Sequence, residues 1–217
     1  FAFQELLHEP GTKGVLGGTY AEAGVAEGER VIRALCRHRS TARFIAAKLV
    51  THFVSDDPPA QAVERVARTF HDSDGDLRAV AGVIVDLQDA WDERTRKFRT
   101  PQDWLVAVLR ALNATDVSET VMPLLRQLRH PIWSPQSPKG FGDLTQEWAD
   151  PDSLLNRAEL ARTVARRLRA RQVDPRELLD VLDIPSSDPL NGLLANNSIS
   201  ADERIALALA GPAFQWR

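Results

Sequence analysis

The stretch at residues 130–150 most constrains the fold, because it has neither helical nor strand periodicity and yet carries two tryptophans. Its helix-breaking residues are Pro131, Pro135, Pro138, Gly140 and Gly142. Loops of this length are uncommon in compact domains and are usually functional or disordered, and disordered segments contain few large aromatic residues. The sequence therefore predicts a long ordered loop in which Trp133 and Trp148 are buried. Truncating Trp133 to alanine would then cost about 3–5 kcal/mol of stability.

Apolar residues recur at helical spacing through most of the remaining chain, so the sequence predicts a mainly helical protein. The expected buried faces are Val31, Ile32, Leu35 and Cys36; Ala42, Ile45, Leu49 and Phe53; Val63, Val66, Ala67 and Phe70; Leu77, Val80, Ala81, Ile84 and Leu87; and Trp104, Leu105, Val108, Leu109 and Leu112. Helices are expected to start at Ser40, Asp74, Thr100-Pro101 and Asp150-Pro151. A weaker helix is expected at 119–129, and the helix that follows Asp150 is expected to reach about Arg171. The charged ends of Arg43 and Lys48 are expected near solvent.

One β-hairpin is expected at the start of the chain. Residues 1–7 and 13–17 have strand-like patterns on either side of a turn at Pro10-Gly11. The predicted fold class is therefore all-α: a compact multi-helix domain with a short N-terminal β-hairpin and a long ordered loop rich in Trp and Pro. We expect residues 1–217 to form a single helical domain, with 130–150 as the place of any sub-boundary.

The composition argues against several classes of protein. A net charge of −3 is not that of a general nucleic-acid binder, which needs an excess of basic residues. No run of about twenty apolar residues is present, so no membrane span is expected in this sequence. The single cysteine, Cys36, cannot form an intrachain disulfide, and its place four residues after Ile32 predicts a buried, inert thiol. The sequence begins at Phe1 without a signal-like region, so we expect it to be part of a larger protein.

Two short motifs resemble ligand sites but fail on spacing. Residues 72–76 alternate aspartates as a calcium loop does, yet the sixth and twelfth positions hold Leu77 and Val83 instead of Gly and Glu. Residues 11–18 are rich in glycine but lack the Gly-Lys-Ser/Thr of a phosphate loop. The histidines are scattered, and no nucleophile signature is present. The sequence predicts no metal site, no cofactor and no catalytic residue, and it leaves open whether the chain is an enzyme.

Candidate ligand-binding residues lie in the 130–150 loop and on the helix after it. Trp133 and Trp148 would form the walls of a cleft. Lys139 and Asp143 lie between them in sequence, and Arg157 offers a bidentate anchor for phosphate or carboxylate. The alternative is structural, with the tryptophans in a core and the arginines of the helix on a solvated face beside acidic neighbours. Those arginines are Arg157, Arg162, Arg166, Arg167, Arg169 and Arg171.

Several stretches, taken in order, resemble a known bacterial family. They are Leu7-His-Glu-Pro-Gly-Thr-Lys-Gly-Val-Leu-Gly17, then residues 38–49, 53–59 and 70–79, and finally Pro131-Ile-Trp-Ser-Pro-Gln-Ser-Pro-Lys-Gly-Phe-Gly-Asp143. The ordered set is similar to the C-terminal half of DUF1800, a family of unknown function, and covers essentially the whole chain. Where the family commonly has Gly-Trp, this chain has Gly140-Phe141, which keeps an aromatic ring but loses the indole donor.

The resemblance implies little about activity, since the family has no established reaction, cofactor or catalytic residue. It implies that an N-terminal half with its own histidine and tryptophan motifs precedes the matching region. It also implies a role in the cell envelope, because many members carry export signals.

Two functions from different classes follow. The first is a non-catalytic helical module that packs against its own N-terminal half or against a protein partner. The second is part of an enzyme or ligand-binding protein with its site at the Trp133–Trp148 loop. An exposed apolar patch would favour the first, and a concave pocket with tryptophan walls would favour the second.

Overall fold

Most of the chain folds into helices, as the periodicity predicts. The computed structural model describes residues 1–92, 94–115, 117–167, 173–178, 182, 184 and 187–217. These divide into two units, residues 1–95 and 96–217, and the 130–150 loop lies within the second. The helices, together with one two-stranded antiparallel hairpin, confirm the predicted fold class. The single-domain organisation stays a prediction.

The first unit contains the hairpin and the first four helices. Its elements are β1 (Lys13–Val15), β2 (Gly18–Tyr20), α1 (Val25–Cys36), α2 (Arg39–Phe53), α3 (Ala60–Asp72) and α4 (Leu77–Val85). The elements of the second unit are α5 (Pro101–Ala111), α6 (Ser118–Gln127), α7 (Pro151–Arg167), α8 (Pro189–Ala195), α9 (Ala201–Ala210) and α10 (Pro212–Gln215). Short 3₁₀ helices cover Glu5–Leu7, Gln88–Trp91 and Thr145–Glu147.

The hairpin is present, but its predicted turn is wrong. The strands turn at Leu16-Gly17, with Val15 opposite Gly18, and not at Pro10-Gly11. Both turn residues have positive φ, 48° and 79°. A two-residue turn of this kind matches the right-handed twist of paired strands. The segment predicted as the first strand instead contains the 3₁₀ helix at Glu5–Leu7.

Helix starts were predicted with mixed success. Thr100 caps α5 as expected, since its Oγ1 accepts from the Asp103 amide at 3.2 Å. The predicted cap at Ser40 is wrong, because His38 Nδ1 accepts from the Ser40 amide at 3.1 Å and α2 starts one residue earlier. The predicted cap at Asp74 is also wrong. Asp76 caps α4 by accepting from the Arg78 amide.

The core of the first unit is formed by α2, α3 and α4. It consists of Ala46, Val50, Val54, Ala62, Val63, Val66, Ala67, Val80, Ile84 and Leu87. The face predicted for α3 is confirmed, apart from partial exposure of Phe70. The buried face of α2 is rotated by about one residue from the predicted face. Ala42, Ala46 and Val50 are buried, and Phe53 is exposed. Small side chains there let α2 and α3 approach closely.

On α4, Val80 and Ile84 are buried as predicted, as is Leu87 just after the helix, whereas Leu77 and Ala81 are exposed. Leu77 is the first residue of α4 and therefore lies at the edge of the core.

The side chains of Arg43 and Lys48 on α2 are exposed, which confirms the prediction that their charged ends lie near solvent.

Helix α1 departs most from expectation. Ile32 is 61% exposed, and Leu35 and Cys36 are exposed as well, so the predicted burial of this face and of the thiol is wrong. The buried side chain of α1 is Glu27, which is 5% exposed. Periodicity places apolar residues on one face of a helix but does not supply the surface that covers them.

In the second unit α5 buries the predicted face, which is Trp104, Leu105, Val108, Leu109 and Leu112. Helix α7 packs against α9, where Ala161, Ala165 and Ala208 are completely buried. Helices α6 and α7 begin where the sequence predicts, but the expected end of α7 near Arg171 lies outside the described residues.

The beginning of the second unit is hydrogen-bonded to its last residues. The Lys97 amide donates to the Arg217 carbonyl at 3.0 Å, and the Arg217 amide donates to the Lys97 carbonyl at 2.9 Å. The Phe98 ring meets the Trp216 ring edge-on at 5.2 Å between centroids. This pairing holds residues 97–99 against residues 215–217.

Candidate functional site

Trp133 does not form the wall of a cleft. Its side chain is 96% exposed and its backbone has a φ of 58°, so the predicted burial is wrong. Positive φ is rare for a bulky residue, and here it accompanies a ring that points away from the core. Ile132, the residue before it, packs on the core of the second unit instead.

Trp148 is buried, as predicted, and belongs to a cluster of three aromatic rings. The His130 imidazole stacks on the Phe141 ring at 4.0 Å between centroids and 18° between planes. The Trp148 ring lies 5.3 Å from the imidazole, and its Nε1 donates to the Gly142 carbonyl at 3.0 Å. Burial lowers the pKa of His130. Its buried Nδ1 has no hydrogen-bond partner among the described residues.

Glu147 holds the loop in shape. Its Oε2 accepts from the Asp143 amide at 2.8 Å and from the Leu144 amide at 3.0 Å. The backbone amides hold the pKa of this carboxyl below its usual range. A Cβ at Gly142 would collide with the Glu147 carboxylate, so any larger residue there displaces the carboxylate from its present position.

Lys139 and Asp143 take part in the same internal structure. The exposed Lys139 Nζ lies 3.6 Å from Glu147 Oε1. The buried Lys97 Nζ donates to the Asp143 carbonyl at 2.8 Å and lies 4.0 Å from its carboxylate. The structure therefore brings Lys139, Asp143 and Trp148 together. The contacts described for them are with other groups of the loop and with Lys97.

Arg157 is buried, which corrects the expectation of a solvated arginine. It is 1% exposed, and its Nη1 donates to Gln215 Oε1 while its Nη2 donates to the Arg99 carbonyl, both at 2.8 Å. The guanidinium lies 4.7 Å from the centroid of the Phe98 ring. Burial, with the nearby Arg99 charge, lowers the pKa of Arg157 to about 10. These contacts join α7 to both ends of the second unit.

The other arginines of α7 behave as a solvated face. Arg162 pairs with Glu203 at 3.0 Å, and Arg166 and Arg167 are exposed. Arg169 and Arg171 lie outside the described residues.

A buried charge cluster that the sequence did not suggest lies in the first unit. Glu27 Oε1 lies 3.4 Å from Lys13 Nζ, and Oε2 lies 3.6 Å from His8 Nε2. Lys13 Nζ also donates to the Gly11 carbonyl at 2.7 Å. This arrangement attaches the start of α1 to the hairpin, and Glu27 Oε2 accepts no hydrogen bond within the described part of the chain.

The aspartates of residues 72–76 have structural partners. Asp74 forms a bidentate pair with Arg37, with Oδ1 2.7 Å from Nε and Oδ2 2.8 Å from Nη2, and Asp76 caps α4. Among residues that the structure describes, no group of three or more His, Cys, Asp or Glu side chains is placed to hold a metal ion. No described helix is long and apolar enough to cross a membrane.

An open groove lies beside the Arg37–Asp74 pair, where α1 ends near α2, α3 and α4; we call it the α1 groove. It has a volume of ≈ 620 Å³. Its apolar lining residues are Cys36, Ile45, Phe70 and Leu77. The exposed Ile32 lies one helical turn before Cys36 on α1. The apolar surface therefore extends beyond the groove itself.

The sequence as a whole matches the family model described as "Protein of unknown function (DUF1800)" over residues 1–216. The chain belongs to the DUF1800 family. No curated protein and no solved structure matched it. The description of DUF1800 assigns no activity.

Several residues of these clusters were missed in the sequence. His130, Glu147 and Lys97 carry no periodic signal, because their partners are backbone groups and rings of an irregular loop. His8 and Lys13 stand in the first stretch that carries the DUF1800 resemblance, but nothing in its sequence pairs them with a carboxylate on α1. Glu27 gave no signal, since it stands among the polar residues of α1.

Proposed function

We propose that this DUF1800 protein is a helical interaction module and that the exposed face of α1, with the α1 groove, docks on another protein surface. That surface is a protein partner or a part of the same polypeptide outside residues 1–217. The docking face is defined by Val25, Ile32, Leu35 and Cys36.

The single observation that carries the proposal is the reversed burial of α1. The apolar residues of the docking face are exposed, whereas the acidic Glu27 is buried. Amphipathic helices of globular proteins usually bury the apolar stripe. An apolar helix face beside an apolar groove is a common recognition surface for a second helix.

The energetic benefit of covering this face is considerable. Fully burying one isoleucine or leucine side chain stabilises a complex by about 1.5–3 kcal/mol. Ile32, Leu35 and Leu77 are 61%, 38% and 63% exposed, so covering each would add part of that free energy. They would form the apolar centre of an interface, which Arg33 and the Arg37–Asp74 pair would border. The occupant is accordingly an apolar helix face with polar edges.

Cys36 provides a direct test, because it is the only cysteine in the sequence and lies on the docking face. In the purified chain, a maleimide should label Cys36 rapidly. In cells that produce the protein naturally, Cys36 should be protected until the lysate is denatured. Mass spectrometry of the peptide that contains Cys36 measures the fraction of the thiol that is labelled in each sample.

The matched control places the thiol on the opposite face of α1. Ala34 is exposed and lies two residues from both Ile32 and Cys36, which is about 200° around the helix. In the C36S/A34C variant the thiol should be labelled in cells as fast as in the purified chain. Equal labelling of Cys36 in cells and in isolation would contradict the proposal.

The alternative function is ligand binding at the 130–150 loop. It is favoured by one observation, the buried Nδ1 of His130 that has no partner among the described residues. A ligand donor or acceptor at this nitrogen would change the His130 ring resonances in an NMR screen of small molecules. His130→Phe keeps a ring for stacking on Phe141 but removes Nδ1, so it should abolish binding as measured from the signals of the small molecule itself.

A further inference from the structure

A second concave surface of the first unit lies between α2 and α3; we call it the α2–α3 cleft. Its volume is ≈ 440 Å³, within the range of small-molecule sites. Arg39 and Arg43 border it from α2, and Glu64 and Arg68 border it from α3. It lies on a different face of α2 from Thr41 and Ile45, which line the α1 groove.

The local packing explains how charged side chains come to surround a concave surface. Ala42 and Ala67 are buried between the two helices and are short, so they leave space above them. Arg39 and Arg43 are four residues apart, and so are Glu64 and Arg68. Residues at this spacing lie on the same side of a helix, which aligns the long side chains on both borders of the cleft.

The guanidinium groups of the cleft are not all neutralised by the protein. Arg43 Nε lies 3.2 Å from Glu64 Oε1, but both side chains are largely exposed, and exposed pairs contribute little. Within the part of the chain that the structure describes, the side chains of Arg39 and Arg68 have neither an ion pair nor a hydrogen bond. His71 and Asp72, at one end of the cleft, pair with each other at 3.2 Å.

Elsewhere in the described part of the chain some exposed arginines have a carboxylate partner and others, such as Arg78 and Arg110, have none. Arg33 pairs with Glu29, Arg37 with Asp74, and Arg162 with Glu203. What distinguishes the cleft is the grouping: it is lined by three arginines and by only two carboxylates, those of Glu64 and Asp72. This is a local excess of positive charge on a chain whose net charge is −3. Such an excess raises the local concentration of anions.

We propose that the α2–α3 cleft binds a small molecule through a phosphate group. Guanidinium groups donate paired hydrogen bonds to phosphate oxygens. Three of them around one cleft supply more donors than a single carboxylate accepts, and a phosphate dianion matches them better. The cleft volume of ≈ 440 Å³ and the net negative charge of the chain favour a small ligand over a nucleic acid.

Binding at the cleft has a consequence for Glu64. The phosphate competes with Glu64 for Arg43, so Glu64 weakens binding in the free protein by holding Arg43 and by repelling the ligand. Removing the charge of Glu64 should therefore increase affinity, whereas removing the charge of Arg39 or Arg68 should decrease it. A purely structural role for these exposed residues does not predict opposite effects.

The test is a titration of the full 217-residue chain, followed by the NMR signals of the arginine Nε–H groups. The probes are inorganic phosphate, glycerol 3-phosphate and succinate, at a constant ionic strength set with sodium chloride. The phosphate probes should shift the Arg39, Arg43 and Arg68 signals saturably. Tighter binding of glycerol 3-phosphate than of inorganic phosphate would identify an organic ester as the ligand class, and the reverse would identify free phosphate.

Charge variants sharpen the result. R39Q and R68Q should each weaken phosphate binding by about fivefold or more, the effect of losing a charge-assisted hydrogen bond at an exposed site. E64Q should tighten binding by about threefold. R65Q is the matched control, because Arg65 lies on α3 and is exposed but does not line the cleft. It should change the affinity by less than about twofold.

Three outcomes would overturn the proposal. They are the absence of saturable shifts with both phosphate probes, equal weakening by R65Q and R68Q, and binding of succinate as tight as that of phosphate. All the substituted side chains are exposed, so the variants should fold, and their circular dichroism spectra verify this.

Discussion

Helix α1 and the loop at residues 139–148 show opposite relations between sequence pattern and burial. Helix α1 has a regular apolar stripe, and the structure leaves it exposed. The loop has no periodicity, and yet Trp148 is only 9% exposed and its carbonyls, amides and carboxylates bind one another. Periodicity thus tells which residues share a face, whereas burial depends on the surfaces that the rest of the chain supplies.

The largest expected effect separates the two tryptophans of the loop. Trp148→Ala should destabilise the protein by about 3–5 kcal/mol, because it removes a buried ring together with the hydrogen bond to the Gly142 carbonyl. Trp133→Ala, at an exposed position, should change stability by less than about 0.5 kcal/mol. Urea titration of both variants measures the difference. A loss below about 1 kcal/mol for Trp148→Ala would show that the loop is not held by Trp148.

An intermediate effect is expected for the pair Gly142 and Glu147. Gly142→Ala forces the carboxylate away from the two amides that it accepts from, and Glu147→Gln removes its charge. Each change should cost about 1–2 kcal/mol, the range for a hydrogen bond to a charged group near the surface. Because both act on the same contacts, the double variant should lose less than the sum of the two. Additive losses in urea titration would contradict this coupling.

The same carboxylate predicts a pH dependence. Folding lowers the pKa of Glu147, so its contribution is present above the unfolded pKa, about 4.3, and is lost as pH falls through the folded pKa. The stability difference between the wild type and Glu147→Gln should therefore be constant near neutral pH and shrink below about pH 4.3. A difference that grows with acidification would be the opposite of this prediction.

The smallest effect is expected at the docking face. Ile32→Ser should change the stability of the isolated chain by less than about 0.5 kcal/mol, since the side chain is 61% exposed. Val66→Ala, in the core of the same unit, is the control and should cost about 1–3 kcal/mol. A loss at Ile32 comparable to that at Val66 would mean that the face is covered within the chain.

Sequence reasoning succeeded where the signal was local. The Thr100 cap with Pro101 and the apolar spacing of Trp104 and Leu105 lie within one helix and need no distant partner. It failed where distant groups decide the outcome. The Arg157 guanidinium is buried because Arg99 and Gln215, about 58 residues away on either side, offer acceptors.

The candidate site was predicted less well than the fold for the same reason. Trp133 and Trp148 look alike in sequence, and only the neighbouring rings of His130 and Phe141 make one of them a core residue. Glu27 is similarly one of several acidic residues on α1. Its burial depends on Lys13 and His8, which belong to a separate segment.

The hydrogen bonds between Lys97 and Arg217 join the beginning of the second unit to the residues at its other end. This pairing affects the order in which parts of the unit can fold during synthesis. Residues 97–99 are made before their partners at 215–217, which follow more than a hundred residues later in the chain. Because long-range pairing has to wait for the distant segment, the edge of the unit at Phe98 stays open throughout translation of α5 to α9. This edge of the second unit is therefore completed only after residues 215–217 have been made, when the rings of Phe98 and Trp216 meet.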